Sequence, residues 1–338
     1  MRITQDLLNK FATETVKQHQ RSEPDLHAAY LIGSLIQEDP LLGGTTDIDL
    51  VLVHKYKTPM AREVHPLTPE VSVDIFHKNQ SDYEQHRQLR KDPELGYPLN
   101  HPNFLLFDTD HWLEFIQSSV RAEFHRPDNV LARVNLFFDA ARANWFTFLS
   151  APPENHLAWL DRFLEVLSLA ANAVCGLIGP PLTTRRFLIT LKDQVETLGV
   201  PNIFVGFTSL LGFSDSPDKN LLEWVGGLNE DYSHLHQSST PPVHLSACRQ
   251  PYYVRAVKAL MESKDPTPAY WPLLRIWLDI KLASETSTTP TPGQAAWKDL
   301  LKSLNLVEEA EEEKIEGLDA YLDTIEITIE TWANTYAA

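Results

Sequence analysis

Three short runs of β-branched and apolar residues, each bounded by Gly, Pro or Thr, lie within the first 80 positions. They predict β-strands over residues 28–32, 47–54 and 71–77. Each run carries or adjoins polar residues that a buried strand does not need: Gly-Ser after the first, two aspartates in the second and one in the third. The first third of the chain is therefore predicted to form a sheet that presents acidic side chains.

The aspartates are Asp47 and Asp49 in the second run and Asp74 in the third. Residues two apart on a strand face the same side, so the backbones of Asp47 and Asp49 would lie roughly 7 Å apart. If the two strands are neighbours, all three carboxylates share one surface. Such a cluster repels itself unless a cation lies among the carboxylates, and Mg²⁺ prefers carboxylate, phosphate and water oxygens. The Gly33-Ser34 turn would offer backbone N–H groups and a hydroxyl to a triphosphate.

In this order the elements resemble the nucleotidyltransferase superfamily typified by DNA polymerase beta: an apolar-Gly-Ser turn, an Asp-x-Asp strand and a third acid on a later strand. Twelve residues separate Ser34 from Asp47, which is towards the long end, and Asp74 follows the second aspartate by twenty-five. Thr46 stands where a Ser is more usual. The resemblance covers roughly residues 25–80.

The resemblance implies a metal-dependent transfer of a nucleoside monophosphate, taken to be AMP from ATP, to an acceptor hydroxyl with release of pyrophosphate. Two Mg²⁺ ions are expected, since paired ions would assist both the attacking and the leaving oxygen. The expected catalytic and metal-binding residues are Asp47, Asp49 and Asp74, and the expected nucleotide-binding residues are Gly33, Ser34 and Thr46.

The acceptor hydroxyl needs a base, which in such enzymes can be a carboxylate of the helical part. The candidates lie in or near the first two helices after the catalytic unit: Asp139, Glu154, Asp161 and Glu165. An exposed helical acid, or one paired with Arg162, is the better explanation of each candidate. Arg185-Arg186 near a predicted helix start could bind phosphate. A solvated arginine pair explains that dipeptide equally well.

The second part of the chain changes to helix after helix from about residue 130, with apolar residues at spacings of three and four. We predict an α+β protein: a nucleotidyltransferase α/β domain with a mixed sheet over residues 1–125, then an all-helical bundle over 126–338 that binds the acceptor. Loops are predicted at 57–69, 233–249 and 284–293, a polar helix at 81–91 and a final helix at 318–336.

The chain has 338 residues with 29 basic and 46 acidic side chains, a formal net charge of −17. This surface would repel a polynucleotide backbone, so a small-molecule acceptor is expected rather than nucleic acid. Two cysteines, Cys175 and Cys248, form neither a disulfide framework nor a zinc motif, and no apolar run is long enough to span a membrane. These features predict a cytoplasmic protein without a membrane anchor.

Two other interpretations are weaker. A nucleotidyltransferase fold can also modify or bind a protein partner, as in toxin–antitoxin pairs, and nothing in the sequence identifies the acceptor. His54, His65 and His77 lie near the predicted strands, and His234 and His236 lie close together, but their spacing matches no established transition-metal site. We therefore interpret these histidines as ordinary structural residues.

Overall fold

The computed structural model describes residues 3–36, 40–56, 58, 60–101, 105–213, 220–238, 240–284 and 290–337. It is a mixed α+β structure, as the sequence predicts. In chain order the regular elements are α1 Gln5–Ser22, β1 Leu26–Ile32, β2 Thr46–His54, β3 Arg62–Pro66, β4 Val71–Asn79, α2 His86–Leu89, α3 Gly96–Asn100, β5 Leu105–Asp108, α4 Trp112–Arg121, α5 Pro127–Ser150, α6 His156–Cys175, α7 Phe187–Thr197, α8 Asn202–Leu210, α9 Leu221–Ser238, α10 Arg249–Met261, α11 Tyr270–Ala283, α12 Gln294–Ser303 and α13 Glu311–Tyr336.

Two compact units divide the chain. The first contains the residues up to Asn129 together with Pro242–Ala256, and the second contains Val130–Pro241 and the residues from Val257 onwards. The first unit thus includes a segment far along the chain that the predicted division at residue 125 does not anticipate. All five strands belong to the first unit, and the second unit is helical.

The sheet has the strand order β3-β4-β2-β1-β5. β2 and β4 run parallel, whereas the other neighbouring pairs are antiparallel, so the predicted mixed sheet is confirmed. β1, β2 and β4 match the three predicted strands to within two residues at each end. The condition set by the sequence, that the two acid-bearing strands be neighbours, is met.

Each face of the sheet has its own apolar core. One face packs beneath α1, whose Leu8, Ala12 and Val16 recur every four residues and meet side chains such as Ile48 and Leu50. The other face carries Tyr30, Val51 and Val53 and is covered by residues of the short helices α2 and α3 and of α4. Alternation along β2 therefore sends even-numbered side chains towards α1 and odd-numbered ones to the opposite face.

Two predictions for the first unit are wrong in detail. The predicted loop 57–69 contains the edge strand β3, which is short and ends at Pro66, a residue tolerated at sheet edges. The predicted helix 81–91 is a 3₁₀ turn, Gln80–Tyr83, followed by the single turn α2. Both segments are mostly polar, so the apolar periodicity that reveals an element is weak in them.

Two predictions for the later part also need correction. The predicted loop 233–249 begins inside α9, which continues through Gly226-Gly227 to Ser238. α13 starts at Glu311, well before the predicted residue 318, and its first turn holds three glutamates that stabilise the positive end of the helix dipole. Part of the predicted loop 284–293 lies outside the described residues.

The second unit encloses a dense apolar interior built from α6 and α11, which bury most of their length. Asp231 in this interior is paired: Lys281 Nζ lies 2.7 Å from its Oδ2, which also accepts a hydrogen bond from the Trp277 indole. Within the described ranges no helix combines the length and apolarity needed to cross a membrane.

The two cysteines differ enough to be distinguished chemically. Cys175 is fully buried in α6, and burial raises the pKa of its thiol to about 12. Cys248 is partly exposed. Because only the thiolate attacks a disulfide reagent, we expect a chromogenic thiol titration near pH 8 to detect Cys248 in the native protein and both thiols after denaturation. A Cys248→Ser variant should show almost no native reaction, and two equally fast thiols in the native protein would contradict the burial of Cys175.

Candidate active site

The three aspartates of the sequence motif converge in the structure. Asp49 on β2 lies directly opposite Asp74 on β4, and Asp47 precedes Asp49 by two positions on the same face. One carboxylate oxygen from each of the three lies within 4.8 Å of the others, close enough to share a metal ion. Asp47 and Asp74 are 3% and 1% exposed. We call Asp47, Asp49 and Asp74 the acid trio.

Two arginines already hold part of the acid trio. Arg62 of β3 donates from Nε to Asp74 Oδ1 at 2.8 Å and from Nη2 to Asp74 Oδ2 at 2.6 Å. Arg249 donates from Nη1 to Asp47 Oδ2 at 2.7 Å, and the same nitrogen lies 3.3 Å from Asp74 Oδ2. The guanidiniums thus compensate Asp47 and Asp74 through charge-assisted contacts.

Arg249 is held in a specific position. It is 4% exposed, its guanidinium lies 4.3 Å from the ring centre of Tyr252, and its Nη2 donates to the Tyr253 hydroxyl at 3.3 Å. These residues open α10 and belong to the part of the chain that groups with the sheet. Sequence reasoning missed Arg249, because the predicted loop 233–249 gave no reason to connect it with the acids, and missed Arg62 together with β3. Val64 is the only β-branched residue of Arg62–Pro66, so the segment shows no alternation from which the strand could be predicted.

Asp49 is the carboxylate of the acid trio that neither Arg62 nor Arg249 pairs with. Three carboxylates face two guanidiniums, and no described residue donates a hydrogen bond to Asp49. Burial, followed by the charges of Asp47 and Asp74, raises the pKa of Asp49 well above its usual range. The charged form of Asp49 is therefore disfavoured in the metal-free protein, and a bound cation would stabilise it.

The Gly-Ser turn lies against this same carboxylate. Gly33 begins a 3₁₀ turn, Gly33–Ile36, directly after β1, with φ +69°, a conformation that favours glycine. A Cβ at this position would overlap Asp49 Oδ2. The Ser34 hydroxyl oxygen is buried and has no hydrogen-bond partner among the described residues. A polar atom in that state is costly unless a ligand satisfies it.

The donor set fits a hard divalent cation. Carboxylate oxygens from three residues, one of them without a hydrogen-bond donor, are the ligands that Mg²⁺ prefers, and the site offers neither a thiolate nor an imidazole. The unsatisfied hydroxyl of Ser34, which follows Gly33 in the turn, provides a further polar group for a ligand. Which metal or nucleotide binds here stays a prediction.

Thr46 and Arg185 are the remaining predicted nucleotide-binding residues. Thr46 is fully buried, strand alternation directs it to the face opposite Asp47 and Asp49, and its hydroxyl donates to the Asp47 carbonyl at 3.1 Å. Arg185 belongs to the second unit, in the 3₁₀ turn Thr184–Arg186, and at 6% exposure it is not the solvated side chain that the sequence allowed.

The candidate bases also belong to the second unit. Asp161 and Glu165 line one cleft of about 390 Å³, where Arg275 Nη1 contacts Asp161 Oδ1 at 2.7 Å. Glu154 precedes α6 and is exposed, as is Asp139 on α5. Because Asp161 is already ion-paired with Arg275, Glu165 is the more accessible of the two acids in the cleft. Its role as a base stays a prediction.

Comparison with known proteins adds little to this geometry. No protein-family model matches the sequence, and no curated protein does. Among solved structures, the chain is similar to a nucleotidyltransferase-like protein from Exiguobacterium sibiricum, with 13% sequence identity over 74% of this chain and 78% of that one and a TM-score of 0.32. A likeness this distant carries no weight in the functional argument below.

Proposed function

We propose that the protein is a Mg²⁺-dependent nucleotidyltransferase that transfers a nucleoside monophosphate, AMP from ATP, to a hydroxyl of a small molecule and releases pyrophosphate. The observation that carries the proposal is the acid trio on two adjacent parallel strands with the Gly33-Ser34 turn pressed against Asp49. This combination offers metal ligands and phosphate-binding groups at one place.

Asp47, Asp49 and Asp74 would hold the metal, which when bound neutralises phosphate charge and polarises the phosphorus centre. The backbone N–H groups and the Ser34 hydroxyl of the turn are suited to phosphate oxygens. Arg62 and Arg249 are further anion-binding groups: each now contacts carboxylates, and each could exchange a carboxylate for a phosphate oxygen.

In the proposed reaction the acceptor oxygen forms a bond to the α-phosphorus while the bond from that phosphorus to the bridging oxygen breaks. The electron pair leaves with pyrophosphate, and the hydroxyl proton passes to a base. Glu165, Asp161 and Glu154 remain the predicted bases. The preference for a small acceptor rests on the net charge of −17, which disfavours a polynucleotide.

The test is an Asp47→Asn/Asp49→Asn variant. We expect calorimetry to show ATP binding by the native protein only with Mg²⁺, and radiolabelled ATP to label an acceptor in a panel of hydroxyl compounds. The variant should lose both, because two of three metal ligands become neutral amides. It should remain folded, because Arg62 and Arg249 both keep Asp74 as an ion-pair partner.

Asp110→Asn is the matched control. Asp110 is exposed and adopts φ +57°, which asparagine tolerates, so the same chemical change is made in the same unit away from the acid trio. Equal ATP binding by the native protein, the control and the double variant would refute the assignment. So would a native protein that neither binds ATP with Mg²⁺ nor labels any acceptor.

A further inference from the structure

A second polar cluster lies on the other face of the sheet. His54 is the last residue of β2 and His77 lies in β4, and strand alternation places both on the face that α1 covers, opposite Asp47 and Asp49. Glu23, the residue that caps the end of α1, completes the group. Elements distant in sequence thus meet at one buried point.

The ligand atoms of Glu23, His54 and His77 lie within 4.8 Å of one another. His54 Nε2 is 2.9 Å from His77 Nδ1 and 3.8 Å from Glu23 Oε2. The two histidines are 3% and 9% exposed. Two nitrogens on one tetrahedral Zn²⁺ are roughly 3.3 Å apart, given Zn–N bonds of about 2.0–2.1 Å, so a small adjustment of the rings would admit the ion.

The outer nitrogens of both rings face carboxylates. His77 Nε2 lies 3.0 Å from Glu63 Oε1, and His54 Nδ1 lies 3.7 Å from Asp25 Oδ2. A neutral imidazole carries one N–H, and a facing carboxylate draws it to that side. In the metal-free protein one inner nitrogen, His54 Nε2 or His77 Nδ1, donates to the other at 2.9 Å. With the N–H of each ring on its outer nitrogen instead, both inner lone pairs would be free to bind a cation. Metal-bound histidines show this same pattern of outer carboxylates.

Glu23 provides a second, independent sign. Its Oε2 is buried and has no hydrogen-bond partner within the described part of the chain, while its Oε1 lies 2.7 Å from His19 Nδ1. A buried carboxylate oxygen left unsatisfied is costly. The unsatisfied oxygen is the one nearest His54, so a cation between Glu23 and the two imidazoles would satisfy all three groups.

We propose that Glu23, His54 and His77 form a Zn²⁺-binding site, separate from the acid trio, that ties the end of α1 to strands β2 and β4. Two imidazoles and one carboxylate favour Zn²⁺ over Mg²⁺, which prefers oxygen ligands alone. The site does not depend on the proposed transferase activity. The spacing of His54 and His77 alone led us to interpret them as structural residues. That interpretation changes because the third ligand, Glu23, lies at the end of a helix and is not part of any spacing motif.

The experiment uses the full chain, stripped with a chelator and dialysed. We expect equilibrium dialysis against Zn²⁺ alone, followed by metal analysis, to find about one bound ion per chain, and thermal unfolding to shift to higher temperature because binding favours the folded state. Replacing Zn²⁺ with Co²⁺ should give a visible absorption spectrum typical of imidazole-bound cobalt.

A His54→Gln/His77→Gln variant should bind Zn²⁺ at least about 10-fold more weakly, since even partners of metal ligands contribute that much. His65→Gln is the matched control: His65 is an exposed residue that contacts the same Glu63, and its loss should leave binding unchanged. If the double variant does not fold, Glu23→Gln removes the third ligand from a partly exposed position and should weaken binding in the same way.

The Asp47→Asn/Asp49→Asn variant separates the two sites and should retain Zn²⁺ binding. The proposal is overturned if the native chain binds no Zn²⁺, if binding survives the histidine or Glu23 substitutions unchanged, or if it disappears with the acid trio instead. Failure of the ATP-binding test leaves this outcome untouched, because Zn²⁺ binding is measured without nucleotide.

Discussion

Replacing Arg249 with alanine is expected to destabilise the metal-free protein by about 3–5 kcal/mol, the usual effect of leaving a buried charge without its partner. Arg249 contacts Asp47 and Asp74 and packs on Tyr252, so its loss leaves three clustered carboxylates with Arg62 alone. If the acid trio binds metal, Mg²⁺ should raise the unfolding temperature of Arg249→Ala more than that of the native protein, because the ion replaces the missing positive charge.

Thermal unfolding with and without Mg²⁺ measures both effects. Arg255→Ala is the control, since Arg255 lies on the same helix, is about half exposed and has a long 3.8 Å contact with Glu70. Exposed ion pairs contribute about 0–1 kcal/mol. Equal unfolding temperatures for the two variants would show that Arg249 does not compensate the acid trio. A large destabilisation that Mg²⁺ leaves unchanged would argue against metal binding there.

Gly33→Ala is expected to lose about 2–5 kcal/mol of stability and to abolish Mg²⁺-dependent ATP binding. The left-handed backbone conformation costs a non-glycine residue about 1–2 kcal/mol, and overpacking costs about 1–3 kcal/mol more. The new methyl group would overlap the Asp49 carboxylate and push it away from Asp47 and Asp74. Chemical denaturation and calorimetry with ATP measure the two consequences.

Gly44→Ala isolates the second effect. Gly44 has nearly the same backbone conformation, with φ +71°, but a Cβ there meets nothing within 4 Å. It should show only the backbone cost and keep ATP binding. If Gly33→Ala behaves like Gly44→Ala in both measurements, the contact between the turn and Asp49 has no functional importance.

The strands and the shared face of Asp47, Asp49 and Asp74 could be predicted because both follow from local rules. Apolar alternation identifies a strand, and a period of two assigns each side chain to a face. Thr46 shows how strict the rule is: one position before Asp47, it lies on the opposite face and away from the predicted nucleotide site. The nucleotide-binding role that the resemblance implies for Thr46 stays a prediction.

The partners of these acids could not be predicted in the same way. Arg62 lies on an edge strand whose pattern is too short and polar to recognise, and Arg249 is separated from Asp47 by 202 positions. The cluster of Glu23, His54 and His77 could not be predicted for the same reason, since Glu23 comes from a helix end and the two histidines from two strands. In each case the residues meet because remote segments pack together, so their spacing along the sequence does not predict the contact.

The sequence by itself therefore determined three strands of the sheet, the acid trio and the Gly33-Ser34 turn, because a strand's alternation and a glycine turn are encoded within a few residues. Only the tertiary structure decided how the charges are compensated: Arg62 and Arg249 hold Asp47 and Asp74, while Asp49 lacks a hydrogen-bond donor among the described residues. Electrostatic balance depends on which groups meet in space at a few ångströms, and that distance is set by the packing of remote segments.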